Sequence, residues 1–119
     1  MKQLPETWQD LLLQASQFRP GEEVLGMLYV QLEKDFDRSG IRLPFDNSEP
    51  IANWLPMLEQ LLVSTDSRLL QQLYYFIDLP ESIVLPISVA DNRWQLLSES
   101  ILRRELVKIY FKLNYSGGS

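Results

Sequence analysis

The sequence predicts an all-α protein, folded as one irregular bundle of four main helices with one or two short ones. Leucine, a strong helix former, occurs 22 times, against 15 valines, isoleucines and threonines together, the residues that favour strands. Only three glycines precede the last three residues. The hydrophobic fraction of 45% suffices for a core, so we expect a single helical domain at 1–116. We expect 117–119 to be a flexible tail, whether native or a cloning remnant.

Apolar spacing and helix-breaking residues mark out the first two helices. Apolar residues three and four apart predict a first helix from Pro5 to Phe18. The second helix begins near Glu22 and ends at Ser39-Gly40, where glycine favours a C-terminal stop. One narrow arc of this helix is apolar, and it predicts the central core: Leu25, Leu28, Tyr29, Leu32 and Phe36.

Prolines divide the middle of the chain. After a loop at 41–48, a short turn at Pro50–Asn53 leads into a helix from Trp54 to Val63, since Pro56 cannot lie deep inside a helix. A further helix is predicted from Ser67 to Asp78. Residues 79–90 contain two prolines in an apolar stretch, and the pattern leaves a short helix, a strand and a buried connector open.

The last helix, predicted from Arg93 to Asn114, carries more apolar residues than one packed face needs. In its second half they span about 200°, whereas a single packed face takes little over 100°. Either this helix is central and wrapped by the others, or one side of it meets another chain. We expect Val107 and Phe111, four residues apart, to form a ridge that a second copy covers.

The charge is acidic overall and unevenly distributed. The net charge is −5, with −8 over residues 1–92 and +3 over residues 93–119. An acidic chain repels phosphate backbones and anionic membranes, so we predict neither nucleic acid nor membrane as a partner. Arg104 and Lys108 form a basic row on the last helix, which we place at the rim of a protein interface, and Tyr75 faces outward on the fourth helix. No apolar run approaches a membrane span and no signal peptide is evident, so we expect a cytoplasmic protein.

The sequence lacks two residues on which much chemistry depends. It has no cysteine, which excludes disulfides and thiolate nucleophiles, and no histidine, the commonest general base and a common metal ligand. It also lacks a glycine-rich phosphate loop and a nucleophile motif. We therefore predict a protein that is not an enzyme and has no cofactor.

One segment resembles a calcium-binding EF-hand loop. Asp35, Asp37 and Ser39 occupy its first three ligand positions, Gly40 follows, and Asp46 closes the twelve-residue window. The segment departs from the pattern, because it ends in aspartate rather than glutamate and has arginine and proline at its eighth and tenth positions. We therefore predict that the protein needs no metal, and these four residues are the only candidate ligands.

The absence of a catalytic pattern, the wide apolar arc and the split charge together favour an interaction module. We predict an adaptor or regulatory subunit that binds a protein partner or itself as a homodimer. One alternative is an immunity-like inhibitor whose acidic surface neutralises a basic toxin. A less favoured alternative is an enzyme that uses carboxylate or tyrosine groups.

Overall fold

The computed structural model describes residues 4–117 and confirms an all-α fold, with no strand in that range. A 3-10 turn at Ile51–Asn53 precedes the third of the α-helices. The helices are α1 (Trp8–Ala15), α2 (Gly21–Arg38), α3 (Trp54–Ser64), α4 (Ser67–Ile77), α5 (Glu81–Ser88) and α6 (Arg93–Gly117). Apart from Gly117, the predicted tail lies outside the described residues. None of the described helices combines the length and apolar character that a membrane crossing requires.

Helix α1 is shorter than the sequence predicts. It begins after Thr7, whose hydroxyl oxygen accepts a hydrogen bond from the backbone N–H of Asp10 at 3.2 Å. This side-chain cap sets the start of the helix, and Pro5 lies in the segment before it, where its carbonyl oxygen accepts a hydrogen bond from Arg103 at 2.9 Å. Pro5 is therefore hydrogen-bonded to α6 rather than included in α1.

Helix α2 agrees closely with its prediction and supplies much of the core. Leu28, Leu32 and Phe36 are fully buried on one face. The helix ends where Gly40 takes a positive φ of 79°, which lets the N–H of Ile41 turn back and donate to the carbonyl of Phe36 at 2.9 Å. Glycine reaches this backbone region without a Cβ penalty, so the predicted stop is confirmed together with its cause.

Residues 79–90, for which the sequence pattern allowed a helix, a strand or a connector, contain the helix α5. Pro80 directly precedes α5, and its carbonyl accepts hydrogen bonds from the N–H groups of Ile83 and Val84 at 3.0 and 3.1 Å. Pro86 lies inside α5, which ends two residues later at Ser88. No residue of α5 is buried, and the helix packs mainly against α6.

Helix α6 is the central element of the fold. It contacts all five other α-helices, so apolar residues on several of its sides enter the core. Of the two interpretations of its wide apolar arc, the structure supports the central helix. Val107 is only 5% exposed, which corrects its assignment to a surface ridge: it packs within the chain and is not available to a partner.

Candidate functional site

A group of exposed and half-buried aromatic side chains lies where the end of α1 meets the second half of α6. Phe18 packs edge-on against Tyr110, with ring centroids 5.7 Å apart, and Tyr110 packs edge-on against Phe111 at 5.9 Å. Phe111 is 46% exposed, and Tyr115, one turn further along α6, is 79% exposed. We call Phe18, Tyr110, Phe111 and Tyr115 the aromatic patch.

The aromatic patch is held in place by packing beneath it. The hydroxyl of Tyr110 accepts a hydrogen bond from the side-chain amide of Gln14 at 3.4 Å, which links α1 to α6. Leu106 and Leu113, on the inner side of the same stretch of α6, are buried. The rings therefore project from a fixed framework, which lowers the entropy that a partner must remove on binding.

The predicted basic row on α6 does not form a continuous surface. The guanidinium of Arg104 pairs with the carboxylate of Asp78 at 2.7 Å. Lys108, one turn later, is turned into a buried cluster, which corrects its assignment to the rim of an interface. Tyr75 is exposed on α4 as predicted, and its ring packs edge-on against that of the adjacent Phe76, at 5.4 Å.

The buried cluster consists of Asp35 on α2 and Glu105 and Lys108 on α6. We call these three residues the charge cluster. The two carboxyl groups are 2% and 0% exposed, and the Lys108 ammonium lies 2.8 Å from Asp35 Oδ2 and 2.9 Å from Glu105 Oε1. Lys108 also donates to the carbonyl of Phe76 at 3.2 Å, so that α2, α4 and α6 meet at one cation.

The two carboxyl groups of the charge cluster have opposite pKa shifts. Burial raises the pKa of Glu105, and a hydrogen bond with the Asp35 carboxyl raises it further, to about 9, although the ammonium of Lys108 opposes both effects. Burial also acts to raise the pKa of Asp35, but hydrogen bonds with Glu105, Lys108 and Gln31 outweigh it and leave that pKa below its ordinary value. These opposite shifts favour the ionised form of Asp35 and the protonated form of Glu105 at neutral pH.

The segment that resembles an EF-hand loop does not have that geometry, which corrects the candidate ligand set. Asp35 and Asp37 lie within α2, where the first faces the core and the second faces solvent. Ser39 donates its hydroxyl to the backbone carbonyl of Asp35 at 2.7 Å. Asp46 accepts hydrogen bonds from the backbone and hydroxyl of Ser48. The four side chains do not converge on one point, and the described residues hold no group of three potential ligands.

Calcium is accordingly expected to leave the stability of the protein unchanged. An ion that binds only the folded state must raise the midpoint of thermal unfolding, and the dispersed carboxylates provide no such site. The measurement is thermal unfolding with excess calcium and with a chelator. A midpoint that rises with calcium concentration would show that the segment does fold around an ion.

A cleft between α2 and the following loop is lined by acidic groups. Glu33 and Asp37 come from the exposed side of α2, and Asp46 and Glu49 come from the loop. The hydroxyl of Tyr29 donates to Glu33 at 2.9 Å. Lys34 and Arg42 also border the cleft and leave it two negative charges in excess.

Comparison with models of known families, with curated proteins and with solved structures finds no significant match to this chain. Its function must therefore be inferred from its own fold and surfaces. It is an all-α protein built around a central helix, with a charge cluster inside and an aromatic patch outside.

The sequence-based predictions did not include Glu105 and Tyr115, although the sequence contained a signal for each. Glu105 follows Ile101 by four residues and Leu102 by three, so it lies in the middle of the apolar face of α6. Tyr115 follows Phe111 by four residues, just beyond the predicted end of the helix. A carboxylate within an apolar face calls for a buried partner, and that argument would have led to Lys108.

Proposed function

We propose that this protein is a non-enzymatic interaction module that associates with a second copy of itself through the aromatic patch. The observation that carries the proposal is the run of packed rings from Phe18 through Tyr110 to Phe111, with the exposed Tyr115 one turn further along α6. Aromatic residues are enriched at protein interfaces, where large rigid rings bury area at small entropic cost. Isolated exposed residues, such as Leu13 on α1 and Val63 on α3, need no such explanation.

A second copy is the favoured occupant because the surroundings of the patch are complementary to themselves. Lys112, the residue after Phe111, and Glu23 at the start of α2 both line one groove, so a cation and an anion border it together. A two-fold axis would place the cation of each copy against the anion of the other. Phe111 and Tyr115 would form the apolar centre of the contact and these charges its polar rim.

The enzyme alternative receives less support from the positions of the perturbed groups. Four surface clefts formed by described residues are lined by side chains other than Asp35, Glu105 and Lys108. A catalytic acid or base must reach its substrate, and the carboxyl groups of Asp35 and Glu105 are enclosed by packing. We therefore propose a structural rather than a catalytic role for the charge cluster.

We also propose the cytoplasm as the compartment of this protein, since a chain without cysteine can gain no disulfide in an oxidising compartment.

Phe111→Glu is expected to abolish self-association while the chain remains folded. Phe111 is about half exposed, so the new carboxylate can reach water in the monomer but would be buried without a partner in the dimer. Sedimentation velocity from micromolar to millimolar concentration, with circular dichroism as a check on folding, measures both. The wild type should show a concentration-dependent dimer.

Val63→Glu is the matched control, since it places the same charge at an exposed apolar site on α3 and should leave the dimer intact. A wild type that stays monomeric at millimolar concentration would contradict the second copy as occupant. Dimers that survive Phe111→Glu would place the contact elsewhere on the surface.

The acidic cleft supports a second candidate, an inhibitor of a basic protein. Its two walls carry four carboxylates, and such a surface attracts a basic partner at long range. An inhibitor does not need to self-associate. A chain that sediments as a monomer in the experiment above would therefore favour this candidate over the first.

A further inference from the structure

We propose that Asp35 and Glu105 share one proton beneath the Lys108 ammonium, and that its loss at alkaline pH weakens the junction of α2, α4 and α6. The inference begins with geometry. Two buried carboxyl groups share a single cation, which lies 2.8 Å from one and 2.9 Å from the other. One ammonium can neutralise one carboxylate, so a second ionised carboxylate would be a buried charge without compensation.

The hydrogen bonds indicate which group holds the proton. Asp35 Oδ2 accepts from Lys108 at 2.8 Å and from the Gln31 amide at 3.1 Å, so two donors favour its ionised form. Neither oxygen of Glu105 has a well-aligned donor among the described residues, and both are shielded from water. A protonated Glu105 needs no such donor, because its own carboxyl O–H can donate a hydrogen bond to the Asp35 carboxylate.

The charges of the surrounding helices do not alter this assignment. The charged groups that shift the pKa of Glu105 are Asp35 from α2 and Lys108 from α6 itself. Helix α4 contributes the neutral carbonyl of Phe76, and its end residue Asp78 is already paired with Arg104 at 2.7 Å. Among the described residues, α1, α3 and α5 add no charge that acts on Glu105.

The proposal predicts a distinctive dependence of stability on pH. Between the ordinary glutamate value of 4.5 and about 9, the folded chain binds a proton at Glu105 that the unfolded chain releases. Stability is therefore greatest at the low end of this window and falls as the pH rises, and the unfolding constant increases by up to about tenfold per pH unit. Asp35 has the opposite sign, and its contribution is lost only when acid protonates it, below its ordinary value of 3.8.

Urea unfolding of the wild type and Glu105→Gln between pH 5 and pH 9 tests the proposal. The amide of the variant can donate to Asp35 as the carboxylic acid does, but it cannot ionise. We expect the wild type to lose stability across this range and the variant to keep a nearly constant unfolding constant. Glu99→Gln is the control, since Glu99 is on the same helix and its hydrogen bond with Gln95 is exposed; the variant should retain the wild-type slope.

A second measurement requires no variant. Refolding of the wild type at pH 7 should take up about one proton per chain, and the absence of histidine keeps the background small. Asp35→Asn should reduce this uptake, because it removes the carboxylate that competes with Glu105 for the Lys108 ammonium. A wild type with no proton uptake, or a Glu105→Gln variant with an unchanged slope, would overturn the proposal. Neither result depends on whether the chain forms dimers.

Discussion

Lys108→Met is expected to lower the free energy of unfolding by about 3–5 kcal/mol, the range for removal of one partner from a buried ion pair. The ammonium of Lys108 is the only cation within 4 Å of Asp35 and Glu105 among the described residues. Methionine preserves most of the side-chain volume, so the loss reports on charge rather than on a cavity. Helices α2 and α4 would both lose a contact with α6.

Urea unfolding at pH 7 measures this loss, and Lys112→Met provides the control. Lys112 lies four residues further along α6 and is exposed, so its replacement should change stability by no more than about 0.5 kcal/mol. A loss below about 1 kcal/mol for Lys108→Met would mean that water reaches Asp35 when the ammonium is gone.

Leu32→Ala is expected to cost about 2–5 kcal/mol, the range for a leucine that leaves a cavity in a packed core. Leu32 is fully buried in the middle of α2, between Leu28 and Phe36, which are buried too. Few side chains around it can move inward to fill the space, because interiors are close-packed.

Val30→Ala is the comparison for this prediction. Val30 lies two residues away on the exposed side of the same helix, so its replacement should change stability by about 0.5 kcal/mol at most. Equal losses from Leu32→Ala and Val30→Ala would contradict the helical register that the structure assigns to α2.

The helices themselves were predictable because their causes are local. The stripe of Leu28, Leu32 and Phe36 specifies one face of α2, and Gly40 specifies its end. The start of α1 was also encoded locally, in the capping hydroxyl of Thr7, but Pro5 offered a competing start. For α5, local patterns left the choice open, since a short apolar run fits several structures.

By itself, the sequence determined the all-α class, the position of most helices and the core face of α2, because hydrophobic period and chain-breaking residues act over a few neighbours. Only the tertiary structure decided which sides of α6 are enclosed, since that depends on helices far away in the chain. It buried Val107 within the monomer and left Phe111 exposed. It also brought Asp35 to Lys108, 73 residues later, where burial raises the pKa of Glu105 and hydrogen bonds lower the pKa of Asp35.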